Sequence, residues 1–413
     1  MNGRVITSCR YCASPLRFSV LDLGKQPYSN SFPKPGDVAR ERAYPLHVRL
    51  CEECFLVQTD FDAPPGDIFT ADYAYFSSYS ASWVEHARRY ADAMTSRFGL
   101  GKSSMVVEVA SNDGYLLQHF VARSIPCLGV EPTAGTANAA TAKGVPTQIA
   151  FFGEDTARDL ASRRYSADLM AANNVLAHVP HIADFVRGFA TLLKPDGVAT
   201  FEFPHLLQLF RMNAFDTIYH EHFFYLSLRA VERIFGDCGL RVFDIERLAT
   251  HGGSLRVFAC LKASSHEETN IVAELRSEEE AADFARTYGY TGLEPAVARI
   301  KSRTRTFLDS ARASAKVVAA YGAAAKGSTF LDTCGIGIDD VMVVADANEH
   351  KQGRLMPGSH IPIVSPASLR ELKPDYVLIL PWNLKQEIMA QLGDLRQRGT
   401  RFITAIPDFE IAT

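Results

Sequence analysis

The stretch Val106-Val107-Glu108-Val109-Ala110-Ser111-Asn112-Asp113-Gly114-Tyr115 decides the fold. Its apolar beginning predicts a buried strand, and the small and polar residues that follow predict a turn into a helix. At the carboxyl end of the first strand of a doubly wound sheet, the backbone approaches a ligand closely, and this requires small residues. The stretch therefore predicts an α/β sheet with a ligand site at its turn.

Units of strand, turn and helix follow this stretch, in an order typical of a doubly wound sheet. Apolar runs predict five parallel strands, at residues 105–110, 127–130, 147–149, 168–172 and 197–203. Two further runs, 241–249 and 254–261, predict an antiparallel pair at one edge. A second, Rossmann-like unit is predicted from strands at residues 317–321, 341–346, 376–381 and 401–406.

Length and composition exclude several classes of protein. The chain has 413 residues, which predicts two to three domains, and its 47% hydrophobic and 22% charged residues exclude wholesale disorder. A net charge of -4 provides no field for polyanions, so we do not expect nucleic acid as a main partner. Because no signal-peptide core or membrane-length apolar run is present, we expect a cytoplasmic protein without a membrane partner. The absence of long heptads predicts a monomer or a weak dimer.

Shifts in composition divide the chain into four parts. Residues 1–70 are rich in Pro, Gly and Cys and predict a small zinc-binding domain. Residues 71–265 contain the first α/β unit. Residues 266–313 are charged and rich in Ala, which predicts a helical connector. Residues 314–413 form the predicted Rossmann-like C-terminal domain.

Two Cys-x-x-Cys pairs, Cys9 with Cys12 and Cys51 with Cys54, have the spacing of zinc ligands. Two residues between thiolates let both sulfur atoms bind one tetrahedral ion, and two such pairs form a closed four-sulfur site. We expect a structural zinc ion, because four thiolates leave no open position for water or substrate. Reduced cysteines without a metal are the alternative.

The second predicted strand ends at Glu131, where a carboxylate can accept hydrogen bonds from both hydroxyls of a ribose. Glu131 follows Gly114 at close to the spacing of about 20 residues expected for such an acid. The turn has one glycine, whereas a dinucleotide site requires Gly-x-Gly-x-x-Gly. An ordinary turn plus a surface acid is the alternative. The candidate nucleoside-binding residues are Glu131 and the turn residues Glu108, Ala110, Asn112, Asp113 and Gly114.

Two polar segments follow the fourth and fifth predicted strands, on the side of the sheet where ligands bind. The first contains Asn173, Asn174 and His178, and the second is Tyr219-His220-Glu221-His222. Consecutive ionisable residues between apolar neighbours are costly to desolvate and hard to explain by packing alone. We therefore expect both segments to meet in one cleft.

The second of these segments predicts acid–base chemistry. A His with a pKa near neutral can remove a proton α to a carbonyl, while a Tyr hydroxyl or a second His stabilises the enolate oxygen. Glu221 is a candidate to orient this base. A catalytic metal is disfavoured, because His220 and His222 would lie on opposite faces of a strand.

Several motifs occur here in one order, and together they resemble a known family: the zinc-containing, S-adenosylmethionine (SAM)-dependent sugar C-methyltransferases of deoxysugar and antibiotic biosynthesis. The turn at Glu108 to Gly114 resembles motif I of class I SAM methyltransferases, with Ala110 where many relatives have Gly. The other motifs are the two cysteine pairs, Tyr219-His220-Glu221-His222-Phe223-Phe224, His251-Gly252-Gly253-Ser254 and Tyr321-Gly322-Ala323-Ala324-Ala325-Lys326-Gly327.

The resemblance covers nearly the whole chain and implies both fold and chemistry. It implies a zinc-binding N-terminal domain, a central class I SAM methyltransferase domain and a C-terminal Rossmann-like domain. The implied substrate is a dTDP-linked 4-keto-6-deoxyhexose, held in the cleft between the domains. Proton abstraction, with C-3 favoured over C-5, would give an enolate that takes the methyl group of SAM.

Site roles follow from the same resemblance. His222 resembles the general base, Tyr219 and Glu221 its catalytic neighbours, and His178 a residue near the keto oxygen. Asn173 and Asn174 are assigned to the SAM site. His220, which stands where some relatives have an acid, is assigned to the substrate.

The run from Tyr73 to Ser78 matches a stretch that closes over the site in this family. Tyr75 is assigned a catalytic role, and Tyr73, Ser77 and Ser78 are assigned to the substrate. A simple linker between domains is the alternative.

The turn from Gly322 to Gly327 is a candidate phosphate site. A strand that ends in small residues at a helix start presents free amides, and Lys326 adds a positive charge. A tight packing turn is the alternative. Gly322 and Lys326 are therefore assigned to the nucleotide, with Asp346 and His360 as further candidates.

The leading hypothesis is thus methyl transfer from SAM to carbon on a nucleotide-linked keto sugar. An O- or N-methyltransferase on the same scaffold is the first alternative. A sugar epimerase or a non-catalytic scaffold protein is the second.

Overall fold

The N-terminal unit is an antiparallel arrangement of short strands. The computed structural model describes residues 3–63 and 76–412 of the chain. In this first part, β2, β3 and β4 form one sheet and β1 pairs with β5. The strands are β1 (Arg4–Val5), β2 (Phe18–Gln26), β3 (Tyr44–Leu50), β4 (Val57–Thr59) and β5 (Phe61–Asp62).

The central unit is the predicted doubly wound sheet. Its order is β8-β7-β6-β9-β10-β13-β12, in which the first five strands are parallel and β13 runs antiparallel to both neighbours. The fold class and the antiparallel edge pair are confirmed. From β6 to β13, the strands are β6 (Val106–Val109), β7 (Cys127–Glu131), β8 (Thr147–Ile149), β9 (Ala167–Asn173), β10 (Leu193–Pro204), β11 (Phe224–Tyr225), β12 (Leu240–Leu248) and β13 (Ser254–Leu261).

Strand β11 belongs to the N-terminal sheet although it lies in the middle of the chain. Phe224 is opposite Gln58 and Tyr225 is opposite Val57 in an antiparallel pairing with β4. The segment that follows the fifth central strand is therefore tied directly to the cysteine-containing unit.

The C-terminal unit is a second, mostly parallel sheet. Its order is β16-β15-β14-β17-β18-β19, with only the last strand antiparallel. Strand β14 lies between β15 and β17, just as β6 lies between β7 and β9. The strands are β14 (Val318–Tyr321), β15 (Val344–Ala345), β16 (Ile363–Val364), β17 (Tyr376–Ile379), β18 (Arg401–Thr404) and β19 (Glu410–Ala412).

Helices cover both α/β sheets, and the predicted connector is a pair of them, α8 and α9. Helix α1 begins where Ser80 Oγ accepts the Trp83 amide at 3.3 Å and ends at Gly99 in the left-handed conformation. The α-helices of the described residues are α1 (Ala81–Phe98), α2 (Gln118–Val121), α3 (Ala134–Ala142), α4 (Glu154–Ser162), α5 (Ile182–Leu192), α6 (Leu206–Arg211), α7 (Leu228–Asp237), α8 (Asn270–Ala281), α9 (Leu293–Ala313), α10 (Ala325–Cys334), α11 (Pro366–Leu372), α12 (Lys385–Gln391) and α13 (Gly393–Gln397).

Packing on the two faces of the central sheet explains why the 106–109 run is a strand. Val106 joins the apolar cluster on one face and Val107 the cluster on the other, as alternate residues of a buried strand do. A search of the described helices for one with the length and apolar character of a membrane span finds none.

Two local predictions were wrong. The sequence predicts a turn at residues 194–197, but β10 continues through them, with an irregular register against β9 between Leu193 and Val198. It also predicts a helix over residues 116–123, whereas the helix is limited to Gln118–Val121 because turns occupy the residues around it.

Candidate active site

The four cysteines of the two Cys-x-x-Cys pairs lie together. Their sulfur atoms are all within 4.8 Å of one another, with Cys9 to Cys54 at 3.6 Å and Cys12 to Cys51 at 3.4 Å. These separations are too long for disulfides and close to the edge of about 3.8 Å that four sulfur atoms at 2.3 Å from one zinc ion would have. The donor set therefore fits a closed structural zinc site.

The surroundings of Cys9 favour the thiolate that a metal requires. Its sulfur accepts hydrogen bonds from Gln58 Nε2 at 3.1 Å and from the Tyr11 amide at 3.4 Å. The hydrogen bond with Cys54 and these donors, against the opposing effect of burial, lower the pKa of Cys9 to about 5. Gln58 lies on β4 opposite Phe224, so the cysteine site and the strand after His222 share this residue.

The turn after β6 has the conformation that its small residues permit. Ala110, Asn112 and Gly114 all have positive φ, and the Ala110 amide donates to the Val130 carbonyl at 2.7 Å. A Cβ on Gly114 would lie 2.9 Å from Val145 Cγ2, so both conformation and space require glycine there. The turn is thus held against the end of the neighbouring strand.

Glu131 connects this turn to the next strand. Its carboxylate accepts the Asn112 amide at 3.0 Å and the Thr133 amide at 2.9 Å. Each carboxylate oxygen has a further lone pair, so the group can still accept from a ribose hydroxyl. The predicted acid therefore also positions the turn itself.

Several unpartnered oxygen atoms lie at or near the carboxyl ends of β6 and β9. Buried side-chain oxygens that lack a hydrogen-bond partner in the described chain include Glu108 Oε2, Ser111 Oγ, Asp113 Oδ1, Asn173 Oδ1 and Asn174 Oδ1. Buried acceptors are normally satisfied, so a group of unpartnered ones fits a ligand that carries hydroxyl, amino and cationic groups. SAM has these groups, and the residues present therefore fit it.

Glu108 differs from the others because it is inside the sheet. Burial raises its pKa well above the ordinary value, against a hydrogen bond with Tyr115 that lowers it. We expect this carboxyl to be neutral and able to donate a hydrogen bond.

The structure places Ser77 and Ser78 against the turn after β6. The Ser77 amide donates to Asn112 Oδ1 at 2.9 Å, and the Ser78 hydroxyl donates to Asp113 Oδ2. Lys143 Nζ also binds Asp113 Oδ2, at 2.8 Å. Ser77 and Ser78 therefore support the turn after β6, and their contact with the substrate stays a prediction. Tyr73 and Tyr75 lie outside the described residues.

His178 and His222 come together, as the sequence predicts. Their ring centroids are 4.7 Å apart at an angle of 61°. His178 Nδ1 lies 2.8 Å from the Glu221 carbonyl, and His222 Nδ1 lies 2.8 Å from the Thr217 carbonyl. A carbonyl oxygen only accepts, so both Nδ1 atoms carry the proton and both Nε2 atoms keep a free lone pair.

Both imidazoles are neutral at physiological pH. Burial lowers the pKa of His178. Burial, and then the positive charge that His178 would carry, lower the pKa of His222 well below its ordinary value. Two uncharged bases therefore share this site.

The neighbours of the pair have separate positions. Tyr219 stacks on His222 with ring centroids 4.0 Å apart. The Glu221 carboxylate accepts from Ser29 Oγ at 3.2 Å and Asn30 Nδ2 at 3.0 Å, so it anchors the segment to the N-terminal unit while its carbonyl orients His178.

His220 lies apart from His178 and His222. It packs edge-on against the rings of Tyr28, Tyr44 and Phe61 in the N-terminal unit, and its Nε2 lies 3.1 Å from the Pro45 carbonyl. Burial lowers its pKa to about 4. Consecutive side chains point in different directions here, and we therefore leave His220 out of the proposed site.

The C-terminal unit contributes the opposite wall. Gly322 has a φ of 95°, and a Cβ there would collide with Pro381. Lys326 Nζ lies 5.1 Å from the Trp382 ring centroid, 3.4 Å from Asn383 Oδ1 and 3.5 Å from the His251 carbonyl. Burial lowers the pKa of Lys326. Its long contacts leave the ammonium incompletely satisfied.

Trp382 and Asp216 support this wall. The Trp382 indole N–H donates to Asp216 Oδ2 at 2.9 Å, and burial raises the pKa of Asp216 to about 6. Asp216 precedes the Tyr219 to His222 segment, so the indole connects the C-terminal unit to the acid–base segment.

Sequence reasoning missed several residues around this cleft. Trp83 on α1 stacks with Tyr115 at 6.2 Å and lies 6.0 Å from His251. His86 Nε2 is 3.0 Å from Glu202 Oε2, which Arg256 also binds at 3.1 Å. The paired glycines after His251 were a signal for a close approach, but Trp83 and His86 occupy an ordinary amphipathic helix and gave none.

Comparison with known proteins decides the family. Family models match residues 249–407 ("C-methyltransferase C-terminal domain"), 83–245 ("Methyltransferase domain") and 9–69 ("Putative zinc binding domain"). The C-methyltransferase NovU of Streptomyces niveus is 35% identical over 406 residues, which cover 98% of this chain and 96% of NovU. The chain belongs to the C-methyltransferase family. It is a SAM-dependent methyltransferase with a zinc-binding N-terminal unit, as predicted.

Solved structures resemble this C-methyltransferase over about half of its length. The 1,6-didemethyltoxoflavin-N1-methyltransferase of Burkholderia thailandensis is 17% identical, covers 50% of this chain and 95% of its own, and has a TM-score of 0.35. The magnesium protoporphyrin IX methyltransferase of Synechocystis PCC 6803 with bound SAM is 14% identical, covers 43% and 80%, and has a TM-score of 0.32.

Proposed function

We propose that this C-methyltransferase methylates the carbon next to the ketone, with C-3 favoured, of a nucleoside-diphosphate 4-keto-deoxysugar. The observation that carries the proposal is the pair of neutral imidazoles with ring centroids 4.7 Å apart, the buried His222 and the half-buried His178. Methylation of this carbon requires a base that removes a proton from a weak carbon acid.

His222 is the proposed base. Its Nδ1–H is fixed by the Thr217 carbonyl, so Nε2 carries the lone pair that removes the proton from C-3. The Tyr219 ring at 4.0 Å restricts the imidazole to one orientation. A fixed base held in this way reduces the entropic cost of proton transfer.

Tyr219 is the better candidate to stabilise the enolate oxygen. The hydrogen bond from His178 Nδ1 to the Glu221 carbonyl leaves His178 with an acceptor at Nε2, and an oxyanion requires a donor. A phenol hydroxyl supplies that donor. His178 is then suited to accept a hydroxyl of the sugar or the proton that His222 has taken.

The cofactor, when bound, supplies the methyl electrophile for the carbanion equivalent. Glu131 and the unpartnered oxygens of Asn173 and Asn174 would hold it at the carboxyl ends of β7 and β9. Because His222 is buried, an enolate formed beside it would be shielded from reprotonation by water.

The other end of the proposed substrate is anionic, and Lys326 is the cation that we propose to bind it. The incompletely satisfied ammonium lies at the turn after β14, where a parallel sheet presents helix amides to phosphate. A dTDP-linked 4-keto-6-deoxyhexose is the specific substrate we propose. We also propose a monomer or weak dimer, which sedimentation velocity would test.

Solvent exchange tests the carbon-acid step. dTDP-4-keto-6-deoxyglucose, incubated with the enzyme and S-adenosylhomocysteine in D₂O, should gain deuterium at C-3 faster than without enzyme. Exchange is read by NMR, and the His222→Gln variant should abolish the enzymatic part. Methyl transfer to this sugar without any exchange at C-3 or C-5 would favour an O- or N-methyltransferase. Exchange with inversion and no methyl transfer in the presence of SAM would favour an epimerase.

A further inference from the structure

The loop between β12 and β13 carries a histidine in a constrained conformation. His251 has a φ of 56°, in the left-handed region, which costs about 1 kcal/mol for a residue with a Cβ. Its neighbours fix the loop. A Cβ on Gly252 would collide with the Trp382 ring, and one on Gly253 would lie 2.8 Å from Gln208 Cγ. The loop is therefore pressed against the C-terminal unit.

The residue His251 as a whole is accessible to solvent, although protein surrounds its ring, and neither ring nitrogen has a hydrogen-bond partner among residues 3–63 and 76–412. The ring lies 6.0 Å from the Trp83 ring, which itself stacks with Tyr115 at 6.2 Å. Its backbone carbonyl is 3.5 Å from Lys326 Nζ. His251 and Lys326 thus lie side by side with donor capacity that the protein does not use.

The titratable neighbours of His251 come from several elements. They are Lys326 on α10, Glu202 on β10, His86 on α1, His178 after β9 and His222 before β11. Glu202 is already bound by His86 at 3.0 Å and by Arg256 at 3.1 Å, so its negative charge is largely neutralised. The surrounding protein walls, and then Lys326, lower the pKa of His251 to about 4. The ring is uncharged at neutral pH when the cleft is empty.

We infer that His251 binds the diphosphate of the substrate together with Lys326 and takes up a proton when the diphosphate arrives. This inference rests on the proposed function, because it needs an anionic nucleotide sugar. A dianion next to Lys326 offsets the repulsion by the ammonium, and its negative charge favours the protonated imidazole over the neutral one. The protonated ring then donates a charge-assisted hydrogen bond.

The arrangement also orients the substrate. The imidazoles of His178 and His222 donate to carbonyls and remain neutral at the ketone end, whereas Lys326 and His251 become a cationic pair at the phosphate end. A sugar bound in reverse would place its diphosphate against two buried neutral bases, which is costly.

Proton uptake on binding is the test. The probe is dTDP-glucose, whose diphosphate has no ionisation near neutral pH, and calorimetry at pH 6 in buffers of different ionisation enthalpy counts the protons taken up. We expect an uptake of about half a proton, and affinity that rises as pH falls from about 8 to about 5. Binding is tighter at low pH because the bound form has the higher pKa.

Two variants make the test specific. His251→Asn keeps a residue that tolerates positive φ and should remove most of the uptake and weaken binding about 10-fold at pH 6. His181→Asn, an exposed site before α5, should leave both unchanged. Binding with no uptake in the wild type, or with uptake unchanged in His251→Asn, overturns the inference alone. No binding of dTDP-glucose, with SAM still bound, overturns the proposed function as well.

Discussion

The two Rossmann-like units of this C-methyltransferase share one local arrangement. In the central unit, Glu131 at the end of β7 accepts the Asn112 amide at 3.0 Å and the Thr133 amide at 2.9 Å. In the C-terminal unit, Asp346 follows β15 and accepts the Ala323 and Asn348 amides, both at 2.7 Å. In each, an acid after the second strand holds the turn after the first.

The charges around the two turns differ. In the central unit, Lys143 is paired with Asp113 at 2.8 Å, and the unpartnered groups are oxygens. In the C-terminal unit, Lys326 has only long contacts, and Lys351 donates to the Ala323 carbonyl at 2.7 Å. One turn therefore offers acceptors and the other offers cations. The acid is therefore typical of the Rossmann-like arrangement, whereas the charges around it indicate which ligand binds.

The largest effect should come from the residue between the units. Replacing His222 with Gln removes the proposed base and should reduce kcat about 10³-fold. The substitution alters neither the turn after β6, which is proposed to bind SAM, nor Lys326, which is proposed to bind phosphate. SAM and dTDP-glucose should therefore bind within a few-fold of their wild-type affinities. Steady-state kinetics and calorimetry measure both, with His181→Gln as the matched control. A variant that keeps a third of the activity would contradict the assignment.

The second-largest effect should come from Lys326→Met, which should weaken binding of the ligand of the C-terminal unit and not of the ligand of the central unit. Losing the cation should weaken dTDP-glucose binding about 30-fold, because a charge-assisted contact to phosphate is lost, and leave SAM affinity unchanged. Calorimetry with each ligand in turn measures this. Equal losses of affinity for both ligands would contradict the difference between the two turns, because the lysine would then act by stabilising the fold.

Asn173→Ala should have the opposite selectivity, with an effect on SAM binding alone, and this effect should be smaller. Removing an unpartnered acceptor should weaken SAM binding about 10-fold without affecting dTDP-glucose. Asn383→Ala, which removes a contact of Lys326, is the matched control and should leave SAM binding unchanged. Unchanged SAM affinity in Asn173→Ala would remove Asn173 from the cofactor site.

The smallest effect concerns pH. The pKa of His222 is lowered by burial and by nearby positive groups, Lys326 among them, so the base stays deprotonated below pH 6.5. We expect the acid limb of kcat/KM below that value. Lys326→Met should move it upward by about half a pH unit, because one repelling charge is lost. An acid limb at or above pH 7 in the wild type would contradict the assignment of His222.

The sequence predicted most of the frame because its signals are local. The 106–115 stretch, the cysteine pairs and the paired apolar runs of β12 and β13 each specify their own element. Which side chains meet depends on packing between distant parts of the chain. That is why the contacts of Glu221 with Ser29 and of Trp382 with Asp216 could not be predicted.

His220 shows that sequence alone also does not predict the contacts of adjacent residues. Sequence alone treats it as one of four adjacent polar residues, but the aromatic rings of Tyr28, Tyr44 and Phe61 enclose it. The tautomers of His178 and His222 depend on carbonyls whose position follows only from the fold.

Strand β11 connects the zinc unit to the proposed catalytic base. Gln58 donates to Cys9 Sγ at 3.1 Å and pairs through its backbone with Phe224, two residues after His222. Metal loss would therefore reach the proposed base through a single strand. If the N-terminal units of two relatives were exchanged, the position of the proposed base would change together with the metal site. Chimeras should therefore take β4 and β11 from the same parent.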